Sequence, residues 1–304
     1  MTVLWLLTAM AIPVPFVMLV VARDTTPPTP GFVGSAIGAG LVLGPILAPF
    51  AVVAPFADRL GPEGATLANA WLESGFLEEF AKAAALWLLL VPHGLGATSH
   101  ARATGAVLVS LGFGAYENLL YLADAADPAG LVLMRSLISL PAHLMAGMAA
   151  AIVLLVRPRI GATTATLAFA AAWFSHGTFN QWALGWAAAL AGEANPEQPP
   201  YLAIVLLTAA PLAASAVIGE AWRCLLPRVR GGRWSVLPWA LLTAMLVVIA
   251  MLFMDGILAR WADRPAMLTM ALPFAGLPLL LARLTGTLAC DAWRARGALA
   301  QVRR

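Results

Sequence analysis

Trp71-Leu-Glu-Ser-Gly-Phe-Leu-Glu-Glu-Phe-Ala-Lys-Ala-Ala-Ala-Leu-Trp-Leu-Leu-Leu-Val91 decides how the chain is read, because Glu78, Glu79 and Lys82 stand inside an otherwise apolar, helix-length run. A charged side chain near the centre of a bilayer costs about 2.5–3.5 kcal/mol even on lenient insertion scales, so such groups face a protein interior or a watery cavity and act there. At about 100° per residue, Glu78 and Lys82 lie one turn apart and Glu79 falls in the same arc. One helix face therefore carries two carboxylates and one ammonium. Glu73 points to the opposite side and is set apart from the group.

The rest of the chain supplies the membrane that this reading requires. Of its 304 residues, 61% are hydrophobic and 11% charged, against about 25% charged in soluble proteins. Nine apolar segments can be marked, at 3–22, 32–57, 71–92, 103–123, 129–156, 164–190, 201–222, 236–259 and 266–287. The expected fold class is all-α, a polytopic helix bundle of about nine spans in a single membrane domain over 1–304, with core helices in 70–182 and helices without a recognised motif in 201–304. The first segment lacks a preceding basic region and reads as a retained span. No basic patch with interleaved aromatics occurs, which excludes a nucleic-acid partner. Cys224 and Cys290 stand beside arginine-rich segment ends, an unlikely setting for a disulfide.

Alternate loops differ in charge. Thirteen arginines, among them Arg102, Arg157, Arg159, Arg228 and Arg230, fall on one side, against Arg59, Arg260 and Arg264 on the other. The positive-inside rule puts the C-terminus in the cytoplasm and the N-terminus outside. Gly31, Gly34, Gly38, Gly40 and Gly44 recur at near four-residue spacing in the second segment and predict close approach of a neighbouring helix. The absence of an internal repeat weighs against a transporter of two inverted halves.

Three further spans carry inward polar groups. Phe113, Glu117 and Tyr121 share one face, Arg135, Ser139 and His143 form a stripe, and His176 and Asn180 lie one turn apart. Counting about 1.5 Å per residue from the outer ends puts Glu78, Glu117 and Arg135 about 10 Å deep, Asn180 about 15 Å and both histidines about 20 Å. The groups can therefore meet in one cavity. His93, His100, Glu220 and Asp255 stand near span ends and read as solvated.

These residues resemble a known family. Glu78-Glu79-Phe80-Ala81-Lys82 fits an EExxK motif, Phe113-Gly-Ala-Tyr-Glu117 an FxxxE motif, His143 a central histidine and His176-Gly-Thr-Phe-Asn180 an HxxxN/D motif. Their order is that of PrsW-type glutamic intramembrane proteases, relatives of the CAAX-processing endopeptidases, and the resemblance covers roughly residues 70–182. It implies a glutamate-dependent endopeptidase that clips membrane-anchored single-span proteins, with first-site cleavage of an anti-sigma factor as the best-known role. In the CAAX-processing relatives histidine stands at the position resembling Glu117, which leaves the role of Glu117 to be found.

The side chains support that chemistry independently. Peptide hydrolysis needs an activated water and stabilisation of the developing oxyanion, and no serine or cysteine sits in a recognisable nucleophile context. Glu78 is the expected general base, beside Glu79 and tuned by Lys82. His176 can share the water or protonate the leaving amine, Asn180 can donate to the oxyanion, and Glu117 can orient His143 or His176. Arg135 is a partner for a carboxylate. No cofactor is expected, yet the same Glu and His inventory suits a divalent metal, although neither HExxH nor ExxH spacing occurs. Proton- or ion-coupled transport and a non-catalytic membrane scaffold are the alternatives from other classes. Cysteine-accessibility labelling is expected to find residues 157–162 and 223–235 cytoplasmic and 191–200 external. Labelling of both sets from one side would overturn the nine-span arrangement.

Overall fold

The computed structural model describes residues 29–47, 67–90, 98–123, 139–157 and 160–190, with isolated positions that include Val132 and Arg135. The described residues are helical throughout: α1 (Pro30–Leu47), a π-helix (Asn69–Leu77), α2 (Glu78–Leu90), α3 (Ser99–Ala123), α4 (Leu140–Val156) and α5 (Ala162–Leu190). The expected segments at 3–22 (Pro13 and Val14 apart), 201–222, 236–259 and 266–287, with both cysteines, lie outside the described residues. Two described helices, Pro30–Leu47 and Ser99–Leu122, are long and apolar enough to cross a membrane, and Ala142–Val156 is a shorter apolar helix.

Local sequence sets the helix starts. Thr29 Oγ1 accepts the Phe32 N–H at 3.2 Å and Thr98 Oγ1 accepts the Ala101 N–H at 3.1 Å, so each hydroxyl satisfies an amide that the first turn leaves open. Proline at the start of α4 has no N–H to lose there. Within the run expected at 129–156, α4 is described from Leu140, with Leu131 and Val132 helical and Arg135 and Ser139 π-helical before it.

The run expected as one helix over 71–92 also divides. Residues 69–77 are π-helical, and regular α geometry begins only at Glu78. The cause is the crossing with α5. Gly75 backs onto α5, where a Cβ would stand 3.2 Å from Gly177 Cα and 3.1 Å from the Trp173 ring. Trp173 Nε1 donates to the Trp71 carbonyl at 2.8 Å, and Trp71 Nε1 donates to Gln181 Oε1 at 2.8 Å. A wider turn frees backbone acceptors for such bonds, and π segments of this kind concentrate at functional sites.

α3 is the central helix. Residues 102–115 are buried without interruption, the pattern of a helix enclosed on all sides. α1 and α4 pack along it, α5 packs on α4 and on the π-helix, and α2 reaches α1, α3 and α5. Large apolar side chains such as Phe80, Leu88 and Phe174 remain exposed, which is inexpensive where the surroundings are lipid. In lipid, association relies on close van der Waals packing, because acyl chains are as apolar as leucine.

That demand falls on two glycines. A Cβ on Gly40 would overlap the Val109 carbonyl oxygen and stand 2.7 Å from Phe113 N, and one on Gly112 would overlap the Ile37 carbonyl. The expected glycine contact is therefore real at Gly40, and at Gly44, where a Cβ would overlap the Tyr116 ring, but Gly31, Gly34 and Gly38 face open space among the described residues. Gly112→Ala and Gly40→Ala are each expected to destabilise the protein by about 1–3 kcal/mol, the usual cost of overpacking. Gly38→Ala is the neutral control in a thermal-unfolding assay in mild detergent, and equal midpoints for all three would refute the backbone contact.

Candidate active site

α2, α3, α4 and α5 bring their polar groups to one place. Lys82 Nζ donates to Glu79 Oε1 at 2.6 Å, lies 3.6 Å from Glu78 Oε2 and 3.3 Å from His143 Nδ1, and sits 4.3 Å above the Phe113 ring. Glu79 Oε1 also accepts from His176 Nδ1 at 2.7 Å. Glu117 Oε2 accepts from His143 Nε2 and from Arg135 Nη2, the latter at 3.0 Å. The rings of His143 and His176 stand edge to face, 5.1 Å between centroids. Glu79, Lys82, Arg135, His143 and His176 are all buried.

The bonding pattern assigns the tautomers. His143 donates from Nε2 to a carboxylate and accepts from Lys82 at Nδ1. His176 donates from Nδ1 to Glu79, which leaves its Nε2 lone pair free of that bond. A carboxylate behind each imidazole fixes ring orientation and strengthens the opposite nitrogen as a base or ligand.

The two neighbouring carboxylates are held differently. Glu79 takes hydrogen bonds from both the ammonium and the imidazole, while Lys82 stays within ion-pair distance of Glu78 at 3.6 Å. Glu78 Oε2, although buried, makes no hydrogen bond. Its nearest charged neighbours are Lys82 Nζ at 3.6 Å and His176 Nδ1 at 3.9 Å, both of which bond to Glu79 instead. An open buried acceptor is costly unless function uses it.

Of the other expected residues, Phe113 supports both Lys82 and the edge of His143, at 5.6 Å between ring centroids. Arg135 and Tyr121 lie together, the guanidinium 4.6 Å above the ring. Asn180 is half-buried one turn along α5 from His176 and is joined to the cluster by no described hydrogen bond. Asn118 was not anticipated. Its Oδ1 accepts from Arg135 Nε at 3.0 Å, so it holds the cation that holds Glu117. An asparagine next to Glu117 inside an apolar span is the signal the sequence carries, but it stands off the Phe113–Glu117–Tyr121 face.

The donors also meet a geometric condition for a metal. One ligand-capable atom from each of Glu78, His143 and His176 lies within 4.8 Å of the others. Three carboxylates face two fixed cations across the cluster, and that balance favours an added positive charge.

With the geometry in hand, comparison with known proteins is decisive on one point. A family model described as PrsW family intramembrane metalloprotease matches residues 27–214. The chain belongs to this family. The match spans well over half the chain and every residue of the cluster, and it makes the chain a membrane protein of a protease family. Comparisons with curated proteins and with solved structures give no match.

Removal of the central cation tests how the cluster is held. Lys82→Met leaves buried carboxylates without their partner, and broken buried pairs cost about 3–5 kcal/mol. Denaturant unfolding in detergent is expected to register that loss. A variant as stable as the wild type would show that Lys82 is not what neutralises Glu79.

Proposed function

We propose that the cluster is the hydrolytic centre of an endopeptidase that cuts membrane-anchored single-span proteins inside or beside the bilayer, an anti-sigma factor being the type of substrate that the family resemblance implies. One observation carries the reading. Glu78 Oε2 is buried and takes no hydrogen bond, with Lys82 Nζ at 3.6 Å and His176 Nδ1 at 3.9 Å, beside two imidazoles whose orientation is set from behind by Glu117 and Glu79. Such a position suits a water molecule that must lose a proton as it attacks.

In this reading the oxygen of that water forms the new bond to the scissile carbonyl carbon, and Glu78 takes its proton. When the C–N bond breaks, Glu78 returns the proton to the leaving amine. Lys82 and Asn180 are the candidate donors toward the oxyanion, Lys82 from its position 3.6 Å from Glu78 Oε2 and Asn180 from the next turn of α5. Glu117, Arg135 and Asn118 keep His143 in place, and Glu79 keeps His176 in place.

The family description names a metalloprotease, and the donor set fits one. Glu78, His143 and His176 would hold a divalent ion, and a three-residue set leaves a position for water. Such an ion, when bound, lowers the pKa of a bound water and polarises a carbonyl. Glu78 has two oxygens, so the one not engaged remains a proton acceptor. Lys82 neutralises the same negative charge that an ion would, and its place beside Glu78 and His143 makes it a competitor.

The test is fragment production from single-span membrane proteins by the purified protein in detergent or bicelles. Glu78→Gln keeps the shape of the side chain but removes its basicity, and is expected to lower cleavage by about 100-fold or more. His176→Ala should match it, and the double variant should lose little further, because groups acting as a unit are not additive. Normal cleavage by Glu78→Gln, or multiplicative losses in the double variant, would refute the assignment.

Metal dependence has its own measurement. Exhaustive chelation is expected to abolish cleavage and zinc to restore it, with about one equivalent bound by the wild type and none by His176→Ala in elemental analysis. Full activity in the chelated protein would return the chemistry to a glutamate acting on water alone.

A further inference from the structure

Beside the cluster lies a cavity that the chemistry above does not use. It runs between α2, α3, α4 and α5 and encloses about 660 Å³ of empty space, its open mouth included. Glu79 and Lys82 form the end at the active site, and Arg102 lies at the other. Arg102, Ala106 and Ser110 follow one face of α3 along it, a span of eight residues and so about 12 Å. The Arg102 guanidinium is engaged there, Nη2 donating to the Arg157 carbonyl at 3.0 Å.

Small residues create the space. Gly147 and six alanines line it, among them Ala83 on α2, Ala150 on α4 and Ala168 on α5. Gly147 packs directly on Ser110 and Val107 of α3, whereas a larger side chain at Ala83 or Ala150, both only partly buried, would reach into the volume. Trp87, 47% exposed, is the most exposed residue of the lining, which puts the mouth on the outer flank of α2. Ligand sites are mostly apolar and carry a few polar groups that fix orientation. Here those groups are Glu79 and Lys82, members of the candidate active site itself.

We propose that this cavity is a specificity pocket that takes one large apolar side chain, aliphatic or aromatic, from the substrate residue next to the scissile bond. The inference rests on the endopeptidase reading, since the cavity earns this occupant through its continuity with Glu79 and Lys82. A peptide whose carbonyl lies at Glu78 has an adjacent side chain within a few ångströms, and the apolar lining admits it without an uncompensated polar group. A lipid acyl chain is the competing occupant, but it would have to bring a methyl end against the ammonium of Lys82. Selection follows from size: one methylene in an apolar pocket is worth roughly 10-fold or more in discrimination.

The experiment uses the full chain and a proteome-derived peptide library in detergent micelles, with cut sites read by mass spectrometry. Wild-type protein is expected to prefer Leu, Met, Phe or Trp at one fixed position beside the cut. Ala150→Leu and Ala83→Leu fill the cavity from opposite walls, and both alanines are only partly buried, so folding can be checked in two independent variants. Each should lower kcat/KM at least tenfold for peptides with a large residue at that position and less than twofold for those with Ala or Ser. Cleavage without preference, or a preference that both variants leave intact, would overturn the pocket while leaving the endopeptidase reading in place.

A binding arm separates the two failures. Glu78→Gln protein is irradiated with a single-span peptide carrying photo-leucine beside the expected cut. Crosslinks at Ala150 or Ala168 that disappear when Ala150→Leu is added support the pocket, even if no peptide is cleaved and the hydrolytic reading falls. Crosslinks confined to other surfaces would overturn it. So would a co-purifying lipid, seen by native mass spectrometry, that Ala150→Leu displaces.

Discussion

Everything in the site depends on how three carboxylates are kept in an apolar interior. Lys82 is the central answer: one ammonium lies against Glu79, near Glu78, beside His143 and over the face of Phe113. Arg135 does the same for Glu117 with help from Asn118. Buried ions are expensive unless paired and hydrogen-bonded, so the pairs fix the relative positions of four helices more tightly than apolar contact would. In lipid, where a leucine gains little by moving from acyl chains to protein, that constraint carries extra weight.

The pairing is uneven, and the unevenness is informative. Glu79 and Glu117 are each spent on an imidazole and a cation, so both histidines are oriented from behind. Glu78 Oε2, buried, takes no hydrogen bond. A network that ties two carboxylates to an imidazole and a cation each, and leaves a buried oxygen of the third without a hydrogen bond, resembles a support built around a single reactive point. The π-helix that precedes Glu78 belongs to the same design, since its wider turn lets Trp71 and Gly75 seat against α5 and fixes the angle at which Glu78 and Glu79 enter the cluster.

Much of this was legible in the chain. The spacing of Glu78, Glu79 and Lys82 identified a charged face because helical periodicity is local and α geometry holds from Glu78 onward. The FxxxE face of Phe113 and Glu117, and the placement of His143 and His176, followed from the same arithmetic. The π-helix was not legible. Residues 71–77 contain no proline, and their geometry comes from the crossing with α5, where Gly75 seats. Asn118 escaped for a related reason: its value lies in reaching Arg135 on another segment.

The sequence by itself determined that charged groups stand inside apolar helices, which residues share a face, and which family motifs they compose, because these depend on neighbours three or four positions apart. Only the tertiary structure decided which carboxylate pairs with which base. Lys82 and His176 both stand near the two carboxylates, but it is Glu79 that takes the hydrogen bonds from them, and His176 is 97 residues away in the chain. The same holds for the glycines. Five look alike in the second segment, but Gly40 is the one against the backbone of α3, and no local pattern states where a neighbouring helix will cross.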